Sequence, residues 1–194
     1  MLSKLSRSFF NDSRFRQCKS TATTGLHPSG GYSDMNHSDK PEIRYTEQIL
    51  TDDVLNALIR LSEDWEKENS CHGYRKNERS DIDGNRIFLA YAGEDIIGYL
   101  FGHMEKAKNS SSVMPDKTPF FEIEELYVRP EYRNNGIGKN LFDYTEKAVC
   151  NEAEYLMLST ATKNWKAILH FYIDELDMCF WNARLFKRIV KEPC

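Results

Sequence analysis

Hydrophobic and polar positions change their period several times along the chain, and each change predicts an element. In EIRYTEQ, residues 42–48, apolar and polar positions alternate, the spacing of a half-buried strand. In TDDVLNALIRLSEDWEKEN, residues 51–69, Val54, Leu55, Leu58, Ile59, Leu61 and Trp65 recur at helical spacing, and Thr51 or Asp52 can cap the N-terminus. SCHGYRKNERSDIDGN, residues 70–85, is polar and broken, a loop or a short second helix. RIFLAYAGEDIIGYLFGHMEKA, residues 86–107, reads as two apolar strands around a Gly-containing turn at Ala92–Asp95, an antiparallel hairpin. KNSSSVMPDKT is a long connection, and PFFEIEELYVRP is a strand ended by Pro130.

The next helix opens on GIGKNLFDYTEKAVCNE, with Ile137, Leu141, Tyr144, Thr145 and Ala148 near one face. EYLMLSTA has a nearly continuous apolar run and predicts a buried strand. NWKAILHFYIDEL predicts a helix, and MCFWNARLFKRIV closes the chain as a strand or tight hairpin. The strand–helix–strand unit around Gly136 predicts a parallel pair with a right-handed crossover.

The chain has 194 residues, enough for one domain and an extension. Residues 1–40 differ from the rest. They carry six Lys/Arg against three Asp/Glu and are rich in Ser, reading as a disordered extension or a presequence ahead of a domain over 41–194. The remaining 20 basic and 27 acidic residues leave the body acidic, which disfavours nucleic acid and suits cationic partners. No apolar run reaches the ~18 residues of a membrane span. The five cysteines are scattered without C-x-x-C, so neither a disulfide framework nor a zinc site is expected, and a cytoplasmic setting follows, or a mitochondrial one if residues 1–40 act as a presequence.

RNNGIGKNL, residues 133–141, carries the candidate chemistry. Glycines admit a tight turn and a close ligand, and the first N–H groups of a helix lack intrahelical acceptors. With the helix dipole, the N–H groups of Asn135, Gly136, Ile137, Gly138 and Lys139 suit a phosphate or pyrophosphate, with Arg133 and Lys139 adding charge at the rim. The turn follows a late strand and has no third glycine, unlike a dinucleotide-binding fingerprint, and G-x-x-x-x-G-K-[ST] is absent.

Arg133-Asn134-Asn135-Gly136-Ile137-Gly138 matches R/Q-x-x-G-x-G/A, and ELYVRPEYRNNGIGKNL resembles the strand–loop–helix core of the GNAT superfamily of acetyl-CoA-dependent N-acetyltransferases. The resemblance spans about residues 42 to 190 and is specific over 120–180. It implies an α/β, three-layer domain around a mixed, splayed sheet of six to seven strands. It implies acetyl-CoA as co-substrate, with its pyrophosphate on residues 133–139 and its pantetheine arm beside the backbone of Leu126, Tyr127 and Val128. One branch of the family places its base eleven residues before the R/Q, which is Glu122 here. Another, including polyamine acetyltransferases, has an acid at the position of Glu124, the preferred candidate. Alternation sets Glu122 and Glu124 on one face and Glu125 on the other, unless a bulge, common in the family here, re-aims them. Tyr172 matches the family's general acid, and residues 70–85 match the region that builds the acceptor site.

The sequence departs from the family in three places. Asn164 lies eight rather than seven residues before Tyr172 as candidate coenzyme contact, Ile168 replaces a usual Ala, and Asp177 stands where Gly usually ends the helix. Cys150 as an acyl carrier has no histidine near it in sequence. The implied activity is acetylation of a small cationic amine, with a protein or peptide amine, or a non-catalytic acyl-CoA-binding module, as alternatives. The family also includes many homodimers.

Overall fold

A computed structural model describes residues 41–109 and 112–187; the readings made on 1–40, on Ser110–Ser111 and on 188–194 lie outside the described residues. In chain order the elements are β1 (Ile43–Gln48), α1 (Asp52–Glu68), α2 (Arg79–Ile82), β2 (Arg86–Ala92), β3 (Asp95–Lys106), β4 (Pro119–Val128), α3 (Ile137–Val149), β5 (Tyr155–Leu158) and α4 (Trp165–Leu169). A 3-10 turn, Pro130–Tyr132, precedes α3, and α4 runs on into a π-helical stretch, His170–Glu175.

One mixed sheet has the order β1-β2-β3-β4-β5, antiparallel from β1 to β4 and parallel between β4 and β5. α3 buries Ile137, Leu141, Phe142 and Val149 against one face, with Phe88, Leu100, Phe121 and Ile123. α1 buries Val54, Leu55, Leu58 and Leu61 against the other, with Leu89, Tyr99, Phe101 and Tyr127. These are the three layers. α1 begins where expected because the Thr51 hydroxyl accepts the Val54 N–H at 3.2 Å, and it ends where Asn69 turns left-handed. The hairpin turn falls at Gly93, φ 61°.

Two expectations are corrected. Among the described residues the sheet has five strands, not six or seven, because residues 178–187 form no strand. Their apolar residues come as adjacent pairs, Phe180–Trp181 and Leu185–Phe186, so a strand would put one of each pair on either face and bury neither set. In consequence β5 is an edge strand, and Tyr155–Leu158 are half-buried rather than buried. The last helix covers the predicted segment but changes type along it: one α-turn, Trp165–Leu169, then π-turns that widen it over His170–Glu175. Asp177 adopts φ 55°, the left-handed geometry a Gly would take, and the Met178 N–H reaches Tyr172 O at 3.0 Å, so the cap survives the substitution.

Candidate active site

β4 positions the site. Its pairing with β5 covers only Phe120–Ile123 against Tyr155–Leu158, after which the two strands part. Opposite β3 the register slips: Phe101 faces Glu125 while Gly102 faces Ile123, leaving Glu124 as the extra residue of a β-bulge. Past the bulge Arg129 N–H donates to Ile97 O at 2.9 Å, so ladder alternation turns the backbone of Tyr127 and Arg129 to β3. The backbone of Leu126 and Val128 therefore faces the opening beside β5. Of the three residues expected beside a pantetheine arm, Tyr127 is turned away; its ring packs against Trp65 and Tyr99 and its hydroxyl donates to Glu68 at 3.0 Å.

At the mouth of this opening the chain turns through Asn134 (φ 60°) and Gly136 (φ 73°), the residue preceding α3. The first helical hydrogen bond is Asn140 N–H to Gly136 O. The N–H groups of Asn135, Gly136, Ile137, Gly138 and Lys139 have no protein acceptor among the described residues. They form a row of donors at the positive end of a 13-residue helix. The expected rim cations are otherwise engaged. Arg133 forks onto Glu68 at 2.7 and 2.9 Å and donates from Nε to Val128 O at 2.8 Å. Lys139 reaches Glu175 O at 3.1 Å and Asp143. The Asn135 amide folds back onto the carbonyls of Tyr132 and Arg133. Backbone rather than side-chain charge is thus left to hold an anion, and the row of free N–H groups beside a parted strand pair fits a pyrophosphate with an extended arm.

On the α1 side of β4 lies an open cleft of about 780 Å³, lined among others by Tyr74, Asn77, Asp83, His103, Glu124 and Glu125. The bulge decides which acids reach it. Phe121 and Ile123 point into the α3 core, so Glu122 faces the α1 side. Past the bulge Leu126 and Val128 point to that core, and Glu125 turns to the α1 side as well. The bulge therefore takes the branch of the expectation in which the later acids are re-aimed, and Glu125 shares the α1 side with Glu122.

Glu122, half-buried opposite His103, has its carboxyl pushed up by burial and then by Glu124. Glu124 is more exposed, 3.5 Å from His103 Nδ1. That ring nitrogen also meets Asn85 Oδ1 at 3.2 Å, while the Asn85 amide nitrogen is spent on the carbonyls of Asp81 and Ile82. An oxygen acceptor there requires Nδ1 of His103 to carry a hydrogen.

The loop of residues 70–78 is clipped to the segment before α4 by a short bridge, Cys71 opposite Thr162, with His72 N–H on Ala161 O and Lys163 N–H on Ser70 O. This brings Cys71 near Tyr172, whose phenol is pushed up to about 12, chiefly by burial and secondly by Cys71. The Tyr172 hydroxyl has no hydrogen-bond partner among the described residues, and its ring lies 5.1 Å from Phe171, which itself covers Gly138 of the donor row. Tyr172 and the donor row are therefore neighbours across one residue. Asn164 sits exposed at the start of α4, its side chain capping nothing. Cys150 is exposed at the end of α3, with its thiol on Lys147 O. Trp65 lies beside the cleft with its ring tilted against Tyr74, whereas Trp165 and Trp181 are exposed.

The model of the Acetyltransferase (GNAT) family matches residues 55–173, which include the bulged strand, the donor row and Tyr172. The chain belongs to the GNAT family. Solved structures of similar fold include an aminoglycoside acetyltransferase, meta-AAC0020, from an uncultured soil metagenomic sample (19% identity, TM-score 0.54, 80% of this chain and 100% of that one). They also include the aminoglycoside N-acetyltransferase AAC(6')-Iy in complex with CoA (16% identity, TM-score 0.57, 78% and 97%). A third is a transcriptional regulator from Bacillus halodurans (18% identity, TM-score 0.56, 76% and 100%). At such identities these likenesses speak for the fold alone. No curated protein matches the chain.

In this GNAT domain Asn77, Tyr99 and Glu68 around the site escaped sequence reasoning, and Glu125 was read as a strand acid without a role of its own. The one sequence signal for them is Gly102, a glycine inside an apolar strand, which marks a bulge or a close backbone approach. A Cβ there would lie 2.1 Å from Glu122 O.

Proposed function

We propose that this GNAT protein transfers an acetyl group from acetyl-CoA to a primary amine, and that the acceptor is a small cationic molecule. The observation that carries the reading is the row of unpaired N–H groups from Asn135 to Lys139 at the mouth of the opening between β4 and β5. Acetyl-CoA, when bound, supplies the activated acyl group. The donor row holds its pyrophosphate, with Asn134 and Gly136 shaping the turn and Arg133 bracing it through Val128 O. Leu126 and Val128 offer backbone to the extended arm. Of the two N–H groups on this strand that could stabilise charge on the reacting carbonyl oxygen, Tyr127 and Leu126, the Leu126 N–H is favoured because its backbone faces away from β3. Asn164 contributes at most an exposed amide at the far rim.

Glu124, with Glu122 beside it, takes the proton that the ammonium must lose, directly or through water. The amine nitrogen then forms the new bond to the acyl carbon as the carbon–sulfur bond breaks, and the surplus proton on that nitrogen passes through water to restore the Tyr172 phenol. Tyr172 gives its proton to the departing thiolate; a phenol pushed up to about 12 is fully protonated at neutral pH and so available as a donor. A cleft lined by Asp83, Glu124 and Glu125 draws in a cation. Aminoglycoside acetyltransferases among the solved structures of this fold are consistent with such an acceptor.

The test is CoA-thiol release from acetyl-CoA against polyamines, aminoglycosides, amino acids and short peptides, with Tyr172→Phe and Glu124→Gln alongside. Tyr172→Phe should lower kcat by about 100-fold, within the range of general acid–base catalysis. Release with peptides but not with small amines would move the acceptor to the protein class. Acetyl-CoA binding without turnover on any amine would leave a binding module.

A further inference from the structure

Glu125 has a feature that its neighbours on β4 lack. All three of its side-chain hydrogen bonds fall on one oxygen. Oε2 accepts from the Tyr99 hydroxyl at 2.7 Å, the Asn77 amide at 2.8 Å and the Tyr74 hydroxyl at 3.3 Å. Oε1 has no partner among the described residues, and the residue lines the cleft. No Lys, Arg or His of the described residues forms an ion pair with it. The nearby cation, Arg75, is turned away and forks onto Asp81 at 2.8 Å through both nitrogens.

A mostly buried carboxylate that lacks a cation is costly, and proteins seldom leave one so. Three donors fix its orientation and leave one oxygen unspent toward a cleft large enough for a ligand. A purely structural acceptor for Tyr99, Asn77 and Tyr74 would not need a carboxylate, because an amide oxygen serves. We propose that Glu125, through Oε1, is the specificity residue that receives an ammonium group of the acceptor, and that the bulge at Glu124 exists to turn it into the cleft. Without the extra residue, Glu125 would point into the apolar core under α3. The inference rests on the amine-acetyltransferase reading but assigns Glu125 to binding, leaving proton transfer to Glu124 and Glu122.

The groups facing Glu125 are Tyr74, Asp81, Arg75 and Cys71 from the loop of residues 70–78 and α2, Tyr99 from β3 and its neighbour Glu124. Burial pushes its carboxyl up while the Tyr99, Asn77 and Tyr74 donors pull it down. Amine binding should therefore fade as pH falls and Glu125 takes a proton.

The test measures the dissociation constants of spermidine, of the aminoglycoside sisomicin and of neutral 1,4-butanediol by calorimetry, on wild type, Glu125→Gln and Tyr99→Phe. Acetyl-CoA affinity and the melting temperature are followed in parallel. Glu125→Gln should weaken the better-bound cationic probe by about 10- to 100-fold, the worth of a charged hydrogen bond, with acetyl-CoA affinity within about twofold. Discrimination against the diol should vanish with it. Tyr99→Phe keeps the carboxylate and should bind more weakly, with its pH midpoint for binding shifted upward because a donor is lost; this variant decides the matter if Glu125→Gln does not fold. Unchanged amine affinity in Glu125→Gln overturns the proposal, as does a fall in kcat with amine affinity intact, which would make Glu125 the base. Failure of both cations to bind wild type also overturns it, whereas the enzyme reading stands or falls separately on acetyl-CoA binding and thiol release.

Discussion

Gly102→Ala tests whether the bulge is fixed by sterics. A Cβ at Gly102 would lie 2.1 Å from Glu122 O, 2.9 Å from a Phe121 ring carbon and 3.1 Å from the Glu122 carbonyl carbon. An ordinary carbon–oxygen approach is about 3.3 Å, so about 1.2 Å of movement is needed. The obstacle is backbone in the middle of a ladder, not the end of a flexible side chain. Overpacking of this kind costs about 1–3 kcal/mol, and each ladder hydrogen bond broken to relieve it adds about 1 kcal/mol. With one such bond lost, a destabilisation of about 2–4 kcal/mol is expected, or a fall of about 4–16 °C in Tm for a chain of this size.

Gly138→Ala is the control. Its Cβ would meet the Phe171 ring at 3.4 Å, an ordinary contact, and its stability should stay within about 1 kcal/mol of wild type because Ala suits a helix better than Gly. The assay is urea unfolding followed by circular dichroism, with thermal melts. If Gly102→Ala melts within about 2 °C of wild type, the two strands can re-register freely and the steric account of the bulge is wrong.

Three further predictions follow from individual contacts. Asp177→Gly should stabilise the fold by about 0.5–1 kcal/mol in urea unfolding, since Asp177 holds a left-handed φ of 55° that Gly adopts without strain; a destabilised variant would mean the Asp side chain supports the cap. Glu68→Gln removes the fork that holds Arg133 beside Val128, and should raise the KM for acetyl-CoA about three- to tenfold while costing at most about 1 kcal/mol of stability, because the pair is partly exposed; an unchanged KM would remove Glu68 from the site. Finally, burial raises Glu125 above its usual 4.5, so the native state keeps a proton that the unfolded chain has released, and stability falls as pH rises through that window. The stability of Glu125→Gln minus that of wild type should therefore grow between about pH 4 and pH 7, and a flat or shrinking difference would contradict the assignment.

The periodicities were enough for α1, the β2–β3 hairpin, β4 and α3, because each buries one face and so writes its period into the chain. The Gly-rich turn was legible for a local reason: a left-handed Gly136 and free N–H groups belong to the turn itself. Where the reading failed, the answer lay in another part of the molecule. EYLMLSTA looked buried, but burial depends on a neighbour, and nothing pairs with the outer side of β5 among the described residues. Arg133 and Lys139 looked free to meet an anion, yet Glu68 and Glu175, remote in sequence, had already engaged them.

Sequence alone thus determined the family, the donor row and the strand that carries the acids, because these are properties of contiguous residues. Only the tertiary structure decided which acid enters the cleft. Side-chain direction on a strand is counted residue by residue, and the single extra residue at Glu124 reverses the count for everything after it. That reversal is permitted by Gly102 on the neighbouring strand, a glycine that hints at a close approach but does not say that its partner there is Glu122.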